Sequence, residues 1–196
     1  MSLDSLMETI PSYATDLKLN FSTVVRQQTD LSEQQLWGTV VACAMASRNE
    51  YLTAAALEEA ANHLTPQALD AARGASAIMG MNNIFYRFLH LSSNEKYATM
   101  RAGLRMNVIR THGTDQLDFE LWCIAVSAIN GCGSCVDSHE KVLKEKGFSE
   151  ERILAAVRIA SVLHAIAVVL DAERVASQPA SDGVSRVAFL DSGAGL

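Results

Sequence analysis

The reactive chemistry of this chain is concentrated in one run, Asn130-Gly131-Cys132-Gly133-Ser134-Cys135-Val136-Asp137-Ser138-His139. Asn130-Gly131 is a helix-ending pair. It places Cys132 at the start of the next helix, where unpaired backbone N–H groups and the helix dipole stabilise a thiolate. At about 100° per residue, Cys135 and His139 fall within roughly 60° of Cys132 around that helix, so the three share a face and Asp137 points away from it. A CxxC pair at a helix start brings two sulfurs within bonding reach and supplies an attacking and a resolving thiol. His139 can take or return a proton, or as imidazolium hold a thiolate. Glu120 lies in the otherwise apolar run Phe119 to Ile129, where a carboxylate is costly unless paired. It is expected to face His139 and complete a proton relay.

A close cysteine pair also suggests a metal. Three ligands on one helix face leave no second cluster to close a tetrahedron, so redox chemistry is favoured over zinc. No metal and no bound cofactor are expected. Cys43 and Cys123 sit singly in apolar runs and read as core residues. His164, inside IASVLHAIAVVL, reads as a core histidine, and His63, His90 and His112 as surface or capping residues. Met79, Met81 and Tyr86 read as core, with the run MGMNNIFYRF a candidate oligomer interface.

The elements that must position these residues read as helices. The chain has 196 residues, 49% of them hydrophobic, which is enough for a packed core and excludes a disordered chain. Three prolines, abundant alanine and 6% aromatics suit helices better than a sheet. Ser32 with Gln35 forms a capping box ahead of Leu36 to Ala46. Thr65 and Pro66 give a cap and a first-turn proline, and Gly147 ends a helix before Ser149 caps another that runs toward Arg174. Phe148 is expected to staple onto Ile153. The net charge of -6 disfavours nucleic acid and anionic lipid as main partners. The N-terminus lacks a basic segment followed by an apolar one, and the longest apolar stretch, Ile159 to Leu170, is short for a membrane span. A soluble, cytoplasmic protein is expected.

The sequence also carries an internal repeat. LSEQQLW at 31–37 and LDFELW at 117–122 each precede an apolar helical run, and their Leu-Trp pairs lie 85 residues apart. Further on, Leu64 to Ala72 matches Phe148 to Ala156 in character at a spacing of 84. Two helical units, about 31–79 and 117–164, are therefore expected to bury their apolar faces on each other within a single domain spanning 1–176. In this alignment Cys132, Cys135 and His139 correspond to Ser47, Glu50 and Ala54, so only the second unit keeps the reactive set. The segment 177–196, rich in Ser and Gly, reads as a loosely ordered tail, with a possible edge segment at Val184 to Leu190.

In AARGASAIMGMNNIFYRF at 71–88 and ELWCIAVSAINGCGSCVDSHE at 120–140 the chain resembles the alkyl hydroperoxide reductase D family, within the wider carboxymuconolactone decarboxylase-like superfamily. The resemblance spans roughly residues 2–176. It implies an all-α fold of duplicated helical units, a homotrimer, and thiol-dependent alkyl hydroperoxide reduction. It also implies a relay role, with electrons passing from a lipoylated acyltransferase subunit and its flavin lipoamide dehydrogenase to a partner peroxiredoxin. The family's motif residues fall on Glu120, Cys132, Cys135 and His139. By the resemblance, Cys135 meets peroxide and Cys132 resolves its sulfenic acid, although helix-start electrostatics alone favour Cys132 as the more thiolate-prone group. The chain departs at Ser134, where some members carry a second histidine. Two other functions compete: a carboxymuconolactone decarboxylase-like enzyme, which would not require a resolving cysteine, and a non-enzymatic helical module with the CxxC as a redox-sensitive staple.

Overall fold

A computed structural model describes residues 1–177, and the proposed tail lies outside these apart from Ser177. Ten α-helices account for the fold, with no strand among the described residues. They are α1 (Leu3–Glu8), α2 (Thr15–Phe21), α3 (Glu33–Ser47), α4 (Glu50–Ala60), α5 (Pro66–Leu91), α6 (Lys96–Thr99), α7 (Val108–Thr111), α8 (Gln116–Ile129), α9 (Gly133–Glu145) and α10 (Glu150–Ser177). A single π-helical turn, Ser22–Arg26, follows α2.

The starting signals act where the local chemistry puts them. Ser32 accepts from the Gln35 N–H while the Gln35 side chain accepts from the Ser32 N–H, so both orphan donors at the start of α3 are satisfied. Thr65 accepts from the Ala68 N–H, and Pro66 opens α5 where no N–H is needed. Asp115 caps α8 by accepting from the N–H groups of Leu117 and Asp118. Gly131 and Gly147 take φ of +66° and +82°, the left-handed geometry that ends α8 and α9 without a Cβ clash.

The centre of the molecule is the pair α3 and α8, with α5 and α10 each packed on both. Helix α3 is apolar on all sides, and Val40, Val41, Ala42, Cys43 and Ala44 are fully enclosed, as befits a helix covered by neighbours all round. The pair approaches closely because Gly38 has no side chain. A Cβ at Gly38 would overlap the Trp122 ring, and that ring's Nε1 donates to the Gln35 carbonyl at 3.3 Å. The three helices α3, α4 and α5 run 15, 11 and 26 residues, and α8, α9 and α10 run 14, 13 and 28 in the same order.

Three expectations need amendment. His164 is exposed rather than core, because α10 buries Ile159, Ala160, Val162, Leu163, Ile166 and Ala167 and turns Ser161, His164 and Val168 outward. Taken whole, α10 is long and apolar enough to cross a membrane, a length that the count of its uninterrupted apolar run understated. More than half of its most apolar stretch is buried in the protein, against α3, α8 and α2. Met81 and Tyr86 are only partly buried, while Met79 is enclosed as expected. Within MGMNNIFYRF, Ile84 and Phe88 are more than one-third exposed.

Candidate active site

Helix α8 ends at Ile129, the chain turns at Gly131, and Cys132 occupies the N-cap of α9. Its carbonyl accepts from the N–H groups of Cys135 and Val136 at 3.1 and 3.0 Å, so the first turn of α9 is wound tightly around the motif. Cys132 and Cys135 are joined by a disulfide with their Cα atoms 5.3 Å apart, a separation that suits a bridge. The two sulfurs are not equivalent. Cys132 is fully enclosed, whereas Cys135 lines a cavity of about 300 Å³. The conflict between helix-start electrostatics and the family pattern is thus met by access: the N-cap thiol is covered, and the one a turn further in faces the cavity. Asp137 is exposed and takes no part in the cavity wall.

The expected carboxylate–imidazole contact is formed. His139 Nδ1 lies 2.6 Å from Glu120 Oε2, and Gln116 Nε2 donates to Glu120 Oε1 at 2.6 Å. Both carboxylate oxygens are therefore engaged, which is what allows Glu120 to sit buried in an apolar helix. The other ring nitrogen, Nε2, lies 3.3 Å from the Met79 thioether. With the disulfide closed, no hydrogen bond joins His139 to either sulfur among the described residues. His139 and Cys135 meet instead across the shared cavity.

Helix α5 contributes what the sequence reading missed. Met79, Asn82 and Tyr86 line the cavity at helical spacing, opposite Met106, Ile109 and Val142. Behind them Asn83 donates to Ser127 Oγ at 2.9 Å and accepts from Asn130 Nδ2 at 3.0 Å, and Arg87 donates to the Asn130 carbonyl at 2.5 Å. These bonds tie α5 to the turn that carries the cysteines. The available signal was Asn82-Asn83 in the middle of a long apolar helix, where two carboxamides need partners. Ser134, in place of the second histidine, puts its hydroxyl 3.6 Å from Cys132 Sγ and also lines the cavity.

The remaining candidates are structural. Cys43 and Cys123 are enclosed, and burial pushes both thiols up, with the Glu120 charge adding to the shift at Cys123. His63 stacks on Trp37 and contacts Glu33 at 2.6 Å, while His112 stacks on Phe119 and bonds Gln116 at 2.9 Å.

An all-helical chain with a bonded CxxC at a helix start, opening on an apolar cavity beside a carboxylate–histidine pair, defines a dithiol redox protein. Residues 95–178 match the carboxymuconolactone decarboxylase family. Over 175 residues the chain is 70% identical to alkyl hydroperoxide reductase AhpD of Acidobacterium capsulatum, covering 89% of this chain and 96% of that one. It is 66% identical to the AhpD of Koribacter versatilis over 88% of this chain and 89% of the relative. It is 53% identical to that of Streptomyces griseus over 91% of this chain and all of the relative. The chain belongs to the AhpD family.

Proposed function

We propose that this chain is an antioxidant alkyl hydroperoxide reductase that works through a Cys132–Cys135 dithiol–disulfide cycle. The observation that carries the reading is that Cys135, and not Cys132, opens on the apolar cavity it shares with the buried Glu120–His139 pair. In the reduced protein the Cys135 thiolate attacks the terminal oxygen of the hydroperoxide. An S–O bond forms and the O–O bond breaks. The alkoxide leaves with the electron pair and takes a proton from His139, giving the alcohol and a Cys135 sulfenic acid. Cys132 then attacks that sulfur, forming the disulfide and releasing water. A small dithiol restores both thiols by exchange. Glu120 and Gln116 hold the imidazole in place throughout. The relatives' names support this activity, and the apolar walls of the cavity suit an alkyl group.

The reductant in this reading is the dihydrolipoyl group of a lipoylated acyltransferase subunit, and the chain relays electrons from it to a peroxiredoxin. A dithiol recycled in this way belongs in the reducing cytoplasm. The test is to mix the reduced protein with cumene hydroperoxide and follow consumption with and without dihydrolipoamide. Multiple turnovers with dihydrolipoamide, and one equivalent per chain without it, are expected. Thiols inert to peroxide would overturn the reading and leave either the decarboxylase chemistry or the passive staple.

The proposal extends to architecture. Residues 1–176 form a single domain in which α3 to α5 and α8 to α10, containing the units 31–79 and 117–164, arose from one helical unit by duplication. The matching order and lengths of the two sets of helices support this. Three copies assemble, supported by the apolar Ile84, Phe88 and Leu91 left exposed along α5. Light scattering should return three times the chain mass of 21.2 kDa, and a monomer at micromolar concentration would refute the trimer.

A further inference from the structure

Asn82 is the one buried group on the cavity wall that the scheme above leaves without a task and that has no hydrogen-bond partner among the described residues. It lies on the face of α5 shared with Met79 and Tyr86, and it is only 4% exposed. Its Oδ1 is enclosed with no hydrogen-bond partner, and its Nδ2 makes no side-chain hydrogen bond among the described residues. The adjacent Asn83 shows the contrast, since both ends of its carboxamide are bonded, to Ser127 and to Asn130. Buried carboxamides in folded proteins are nearly always satisfied, and an unsatisfied one beside a reactive group points to a ligand that completes it. Because neither end is held, the amide can also turn over about its last bond without breaking any hydrogen bond.

The rest of the wall narrows what that ligand is. Met79, Tyr86, Met106, Ile109 and Val142 offer mainly apolar surface, and Glu120 and His139 are already bonded to each other. A neutral molecule with a small polar head and an apolar body fits such a wall. A hydroperoxide has this shape, and its two oxygens accept hydrogen bonds.

We propose that Asn82 binds the hydroperoxy group of the substrate, its N–H donating to the leaving oxygen while the terminal oxygen faces Cys135. The role rests on the peroxidase reading above and adds the residue that recognises the head group common to all its substrates. As the sulfur–oxygen bond forms and the O–O bond breaks, negative charge grows on the oxygen that carries the alkyl group. A neutral donor at that oxygen stabilises the charge until His139 delivers its proton. Asn82 itself gains and loses no covalent bond. The contact is to the –OOH group and not to the alkyl part, so it serves hydrogen peroxide and bulky hydroperoxides alike.

The test separates the peroxide step from every other property of the thiol. Reduced wild type, Asn82→Leu and Asn82→Ala are each mixed rapidly with hydrogen peroxide and with tert-butyl hydroperoxide. The same proteins are alkylated with iodoacetamide, which has no peroxide group, and their disulfides are reduced with dihydrolipoamide. Both variants should react with both peroxides about tenfold more slowly or worse, while alkylation and disulfide reduction stay at wild-type rates. The alanine variant keeps the test open if the leucine variant does not fold. Peroxide rates equal to wild type in a folded variant would overturn the role of Asn82. So would an equal slowing of all the reactions, which would mark it as a structural residue. A wild type inert to both peroxides would overturn the peroxidase reading, and this role with it.

Discussion

Cys135→Ser should consume no hydroperoxide above the rate of buffer alone, whereas Cys132→Ser should consume one equivalent per chain and stop. The asymmetry follows from access and from position in the cycle. Cys135 lines the cavity and Cys132 is fully enclosed, so removal of Cys135 removes the sulfur that peroxide can reach. Removal of Cys132 leaves that sulfur but takes away the thiol that closes the disulfide. A sulfenic acid then accumulates at Cys135, to be trapped with dimedone and located by mass. The other two cysteines cannot substitute. Cys43 and Cys123 are enclosed, and burial holds their thiols up, so at neutral pH they stay protonated and unreactive. If the dimedone adduct appears on Cys132 in the Cys135→Ser variant, the roles are the reverse of those proposed.

Glu120→Gln and His139→Gln should each slow peroxide reduction by about 10² to 10⁴, the usual worth of a positioned acid–base group. His139 has one nitrogen on Glu120 and the other on the Met79 thioether, and Glu120 is held in turn by Gln116. The ring therefore has one orientation, fixed by groups on two neighbouring helices, α5 and α8. Without the carboxylate it loses that orientation, and without the imidazole the departing alkoxide loses its proton source and the thiolate its neighbour across the cavity. The double variant should lose less than the product of the two single effects, since the pair acts as a unit. Peroxidase rates for all four proteins and thiolate absorbance against pH check this, and far-UV circular dichroism confirms that the variants remain folded. If both single variants react and titrate like wild type, the pair is structural and the relay is wrong.

Much of this was legible in the sequence because the signals are local. A cap is read by an N–H two or three residues away, so Ser32, Thr65 and Ser149 marked helix starts without reference to the rest of the chain. Gly131 and Cys132 are neighbours, so the placement of the CxxC at a helix start needed only the turn between them. The contact of Glu120 with His139 spans 19 residues, but it joins consecutive helices and was demanded by the cost of a lone buried carboxylate.

Packing alone decided the rest. Met79 meets His139 across 60 residues of chain, and Asn83 meets Ser127 across 44. No periodicity within α5 says which of its faces will lie against the turn carrying the cysteines, so a run that reads as core or interface became one wall of the cavity on which Cys135 opens. His164 shows the same limit from the other side: an apolar helix hides a histidine only where another helix covers that face, and none does so among the described residues. Which of the two sulfurs peroxide can reach was undetermined for the same reason. The sequence by itself determined the helices, the close cysteine pair and the carboxylate–imidazole contact beside it, because each depends on residues close along the chain. The tertiary structure decided which thiol opens to the cavity and that Asn82 stands beside it with no partner among the described residues, because exposure belongs to the surfaces that distant helices leave uncovered when they pack.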